Sequence, residues 1–125
     1  MEAPRGGIVA KLADDEYVFR LTLDEIEVFE DTFRGIYEVI NDFFDDSGRE
    51  PSFRECKAIL TLGLKGGGMS DKDVRTAVSV LTPEDLVAVK IIATGILSAA
   101  FVPDRDDDNN DSGGKDRPKG SESGG

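Results

Sequence analysis

Histidine and tryptophan are absent from this sequence of 125 residues, and cysteine occurs once. Histidine is the commonest general base and the commonest ligand for zinc, so its absence argues against most hydrolytic and metal-dependent chemistry. The single thiol, Cys56, cannot form an internal disulfide, and it falls at the spacing of a buried helix face. We therefore expect no enzyme activity, no catalytic residue, no cofactor and no metal site. A carboxylate-metal hydrolase is the enzyme alternative, but no paired carboxylates lie on an apolar face.

Positive charge is scarce, because 15 basic residues stand against 26 acidic ones and give a net charge of -11. Such a surface repels phosphate, so we expect neither nucleic acid nor an anionic membrane as a partner. No apolar run approaches the roughly 18 residues that can cross a bilayer. The first residues also lack the basic and apolar regions of a secretory signal. A protein of this composition is expected to bind basic or apolar proteins.

The last 23 residues, Pro103 to Gly125, contain no Leu, Ile, Val, Phe, Tyr, Trp, Met or Ala. A segment of this composition cannot bury enough surface to offset the entropy of ordering it. We expect residues 103–125 to form a disordered, acidic, Gly/Ser-rich tail and residues 1–102 to form one domain.

Two segments invite a ligand-binding interpretation that their residues do not support. A calcium loop that starts at Asp104 or Asp108 has Lys115 or Lys119 where a bidentate glutamate is required. The glycine run at residues 66–68 lacks the Gly-Lys-Ser/Thr end of a phosphate-binding loop, and no strand precedes it. We interpret the first as part of the solvated tail and the second as a helix stop.

Apolar periodicity predicts an α+β fold that is mostly α. Alternation over residues 8–21, around an acidic turn, predicts an N-terminal β-hairpin. Start signals then predict about four helices. The first is expected to run unbroken from Leu23 to about Phe44, with Arg34 and Asp42 on its solvated side. The second is expected to bury Phe53, Cys56, Ile59 and Leu60; a short third helix and a last helix ending near Val102 follow.

The last helix has more apolar surface than one neighbour can cover. Most of its apolar residues share one broad face, but Val87 and Ile91 lie on the opposite side, with Phe101 between the two sets. One interpretation is a central helix wrapped by the hairpin and the first helix. The other is an apolar patch that binds a partner or a second copy of the chain. On the second interpretation Val87, Ile91 and Phe101 are the candidate partner-binding residues.

The order of these elements resembles a known family. The similarity lies in five segments: GIVAKL at residues 7–12, YVFRLT at 17–22, LDEIEVFE at 23–30, LGLKGGG at 62–68 and SAAF at 98–101. The sequence is similar to the small tail assembly proteins of gene transfer agents and long-tailed phages, which are called tail tube proteins in some cases and tail assembly chaperones in others.

The resemblance implies a tail assembly chaperone that acts in the bacterial cytoplasm while a phage-like particle is built. Its client would be an apolar helical protein such as the tail tape-measure protein, or the tail tube protein. The alternative is a structural tail tube subunit that is incorporated into the particle. Assembly into a homo-oligomer is compatible with both.

Overall fold

The computed structural model describes residues 2–45 and 48–102, so the tail predicted for residues 103–125 lies outside the described residues. Within them, an antiparallel pair of strands precedes five α-helices, which confirms the α+β, mostly α class. The elements are β1 (Gly7–Leu12), β2 (Asp15–Arg20), α1 (Leu23–Thr32), α2 (Ile36–Phe44), α3 (Phe53–Gly66), α4 (Asp71–Ser79) and α5 (Leu86–Phe101), with a short 3₁₀ turn at Pro83–Asp85 before α5.

The hairpin is closed by a two-residue turn. Leu12 pairs with Asp15, and Ala13 takes the left-handed torsion that such tight turns require, with φ of 58°. Leu12 and Phe19 are buried on the face that packs on the helices. The predicted alternation is therefore confirmed.

The long first helix expected from the sequence is wrong, because the chain breaks at residues 33–35. Gly35 is the N-cap of α2 and offers no side chain, so the Glu30 carboxylate accepts a hydrogen bond of 2.8 Å from the Ile36 amide instead. Glycine in a helix interior is unfavourable by about 1 kcal/mol relative to alanine. The helix breaks because glycine disfavours its continuation at residue 35 and because the Glu30 carboxylate caps the start of α2.

Helix α3 lies at the centre of the fold. It packs against the hairpin, α1, α4 and α5. The capping boxes predicted at Thr22 with Glu25 and at Ser52 with Glu55 are both present. Helix α5 packs against the hairpin, as one interpretation of the sequence expected, and against α3, which takes the place given there to the first helix. The buried side chains of α5 are Val89, Ile92, Ala93, Ile96 and Leu97.

The carboxyl end of α3 covers the outer edge of β2. A Cβ atom on Gly66 would lie 1.9 Å from the Arg20 carbonyl oxygen, and one on Gly67 would lie 2.4 Å from that of Val18. Only glycine allows this approach. Helix α3 ends at Gly66, and Gly68 has a φ of 109°, so the predicted helix stop is confirmed. The glycines also have a second role, since they close one edge of the sheet.

Candidate protein-binding surfaces

The structure separates the three residues that the sequence selected on the last helix. Val87 and Ile91 are 71% and 65% exposed and lie one turn apart on the outer side of α5. Phe101 is half-buried against the core and lines a different depression, beside Leu21 and Leu23. Ten residues of helix, or about 15 Å, separate it from Ile91. Only Val87 and Ile91 therefore belong to one exposed patch.

A larger apolar surface surrounds Phe53, a residue that the sequence interpretation placed in the core. Phe53 stands at the first position of α3 and is 45% exposed. Two depressions meet at this ring: one of about 370 Å³ between α1 and α3, and one of about 240 Å³ between α3 and the start of α5. We call the two together the Phe53 groove.

Apolar side chains form most of the Phe53 groove. Phe29 of α1 and Phe33, the residue that follows α1, stack with their ring centroids 4.9 Å apart and line the first depression. Leu81 and Leu86 line the second. Phe53 and Lys57 line both depressions, so the two apolar surfaces are continuous.

The charges of the Phe53 groove have the sign opposite to that of the whole chain. Arg54 and Lys57 line it, and no carboxylate does. In the part of the chain that the structure describes, neither cation forms an ion pair. The Arg54 guanidinium lies 5.7 Å from the centroid of the Phe33 ring, an arrangement typical of a cation–π contact. The site was not predicted from the sequence; its one visible signal there was the basic pair at positions i and i+3 beside an aromatic residue.

A partly buried ionic network borders the groove and joins the break after α1 to α2 and α3. Arg34 lies in the break between α1 and α2 and bonds to both Glu55 of α3 and Asp42 of α2. The prediction that Arg34 and Asp42 face solvent is wrong, since breaking the helix turns both side chains inward. The Arg34 hydrogen bonds hold the pKa of the Glu55 carboxyl below its ordinary value, against the opposing effect of burial.

Cys56 is buried beside this network, and its burial raises the pKa of the thiol. A protonated, inaccessible thiol is a poor nucleophile. Among the described residues, no group of three or more acidic or cysteine side chains is placed to hold a metal ion. No helix in residues 2–45 or 48–102 has the length and apolar character needed to cross a membrane.

The described residues form a hairpin followed by five helices, with an apolar groove around Phe53. A family model described as "phage tail tube protein, GTA-gp10" matches residues 5–102. The chain belongs to this family of phage-type tail proteins, and the match spans all seven strands and helices described above. No curated protein and no solved structure matches the chain significantly.

Proposed function

We propose that this protein works in a phage-like tail by binding other tail proteins, without catalysing a reaction. The family match over residues 5–102 carries the proposal. A sequence without histidine, and a single thiol that is buried, support a non-catalytic role. The exposed pair Val87 and Ile91 is proposed to contact a partner, and Phe101 is proposed to contribute separately at the far end of α5.

A structural subunit of the tail is the form that the family description favours over a chaperone. In this form, copies of the chain bind one another. A ring joined by strand pairing needs an unpaired strand edge on both sides of each subunit's sheet. Because Gly66 and Gly67 cover the edge of β2, we expect neighbouring copies to meet through helix surfaces instead.

A tail assembly chaperone is the second candidate, and the two-stranded sheet favours it. The strands in residues 2–45 and 48–102 form one hairpin with a covered edge, which does not suit a tail wall made of continuous sheet. Exposed apolar helix surface, in contrast, suits reversible binding. The client in this form would be the tail tape-measure protein or the tail tube protein, bound in the bacterial cytoplasm during assembly.

The composition of finished particles separates the two candidates. We would count copies of this chain in purified particles by quantitative mass spectrometry, with the most abundant tail protein in the same sample as the internal control. Many copies per particle would establish the structural subunit. Absence from particles, together with co-purification with tail proteins from cells that are assembling tails, would establish the chaperone. Finding the chain in neither fraction would overturn the tail function.

A further inference from the structure

We propose that the Phe53 groove binds an amphipathic helix of another protein whose apolar side chains are flanked by carboxylates. The inference rests on the proposed function in one respect, namely that the chain acts by binding proteins. The groove itself is defined by its own residues: two adjoining apolar depressions that share Phe53 and Lys57.

The shape and polarity of the groove favour a helix as its occupant. Its lining residues belong to helices and to the short segments that adjoin them, and no strand residue lines it, so it offers no strand edge to an extended peptide. The uncharged polar side chains that line it are three threonines, Thr32, Thr61 and Thr82. A segment buried there must therefore satisfy its own backbone hydrogen bonds, as a helix does.

The charges of the groove specify an acidic occupant. Arg54 and Lys57 lie three residues apart on α3 and hence on one face of that helix. Neither has an ion-pair partner in residues 2–45 or 48–102, and the chain as a whole carries a net charge of -11. Net charge alone predicts a basic partner, whereas the groove predicts an acidic one. These opposite preferences make the proposal testable.

The experiment uses two fluorescent helical peptides as probes with the full chain. Both carry leucine at positions i, i+3, i+4 and i+7; one has glutamate beside the leucines and the other has lysine. Fluorescence anisotropy at about 0.15 M salt gives the two dissociation constants. We expect the glutamate peptide to bind at least about tenfold more tightly, although long-range repulsion by the chain opposes it. Tighter binding of the lysine peptide would overturn the proposal.

Charge-reversal variants locate the binding surface. Arg54→Glu with Lys57→Glu should weaken binding of the glutamate peptide at least about tenfold and strengthen binding of the lysine peptide. The matched control is Lys72→Glu with Arg75→Glu, which makes the same charge change at the same spacing on exposed positions of α4. An equal effect of the two double variants would show that only net charge matters and would overturn the proposal.

Phe53→Ala tests the apolar contact, with thermal unfolding recorded to verify that the variant folds. It should weaken binding of the glutamate peptide without changing the preference between the two peptides. Sedimentation of the peptide-free protein tests whether a second copy of the chain occupies the groove instead. If the wild type forms a dimer and the Arg54→Glu, Lys57→Glu variant is monomeric, a second copy fills the groove and the proposal is overturned. A negative result with the peptides would not change the count of this chain in purified particles, so the groove and the tail function are tested separately.

Discussion

Arg34 and Glu55 stand 21 residues apart in the sequence and are joined by two hydrogen bonds, of 2.6 Å from Nε to Oε2 and 3.0 Å from Nη2 to Oε1. Glu55 is the one buried charged residue among those described, at 7% exposure. The same carboxylate accepts a bond from the Ser52 amide and so caps α3. One carboxylate thus connects the break between α1 and α2 to the start of the central helix.

Replacing Arg34 by methionine should destabilise the fold by about 2–3 kcal/mol, because it leaves the Glu55 and Asp42 carboxylates without their shared cation. Urea unfolding measures the change. Arg75→Met on the exposed side of α4 is the control and should change stability by less than about 0.5 kcal/mol. The double variant Arg34→Met with Glu55→Gln should recover part of the loss. Equal stabilities for Arg34→Met and the control would contradict a structural role for the network.

The stability of the wild-type protein should fall in acid partly through Glu55. Hydrogen bonds from Arg34 lower the pKa of this carboxyl in the folded state, so the folded protein binds fewer protons there than the unfolded chain does. The resulting stabilisation is complete above the ordinary glutamate pKa of about 4.3 and is lost as the pH falls through the lower folded value. Unfolding experiments between about pH 3 and 6 should give a flatter curve for Glu55→Gln than for the wild type. Parallel curves would be inconsistent with this linkage.

Gly66→Ala should destabilise the protein by about 1–3 kcal/mol, because the added methyl group overlaps the Arg20 carbonyl oxygen and forces the backbone to shift. Gly35→Ala is the matched control, since its Cβ would meet nothing closer than 3.7 Å. Thermal unfolding of both variants provides the comparison. If Gly66→Ala is as stable as Gly35→Ala, α3 does not press against β2.

Val87→Asp with Ile91→Asp should leave the fold nearly intact, because both side chains are exposed and the buried face of α5 is untouched. It should weaken binding to the partner by at least about tenfold, or 1.4 kcal/mol. Capture of tail proteins from cells that assemble tails measures this binding, and Val80→Asp serves as a control at another exposed valine. Normal binding would place the interface elsewhere, and unfolding would show that the two residues support the core.

Local signals in the sequence predicted much of the fold. The helix starts at Thr22 and Ser52 are recognisable because each capping box involves a residue only three positions further along the sequence. The alternation around Phe19 indicates which face of the hairpin is buried. The break at Gly35 was not predicted, since its capping group, Glu30, looks like an ordinary surface residue until the chain bends. The fold class and the exposure of Val87 and Ile91 could therefore be anticipated from periodicity.

The Phe53 groove could not be predicted in the same way. Phe53 has the spacing of a core residue, and its exposure depends on how far α1 and the start of α5 extend beside it. The pairing of Arg34 with Glu55 could not be predicted either, because the two residues are 21 positions apart and no local pattern connects them. Both features follow from tertiary packing, which a single sequence does not specify by local pattern.

The glycine contact between α3 and β2 also sets an order of events during synthesis. Gly66 follows Arg20 by 46 residues, and at about 5–20 residues per second the ribosome needs roughly 2–9 s to extend the chain that far. Throughout that interval the outer edge of β2 lacks the cover that Gly66 and Gly67 later provide. The nascent protein is therefore most vulnerable to pairing with a foreign strand before α3 emerges, and translation speed between these two points controls how long that vulnerability lasts.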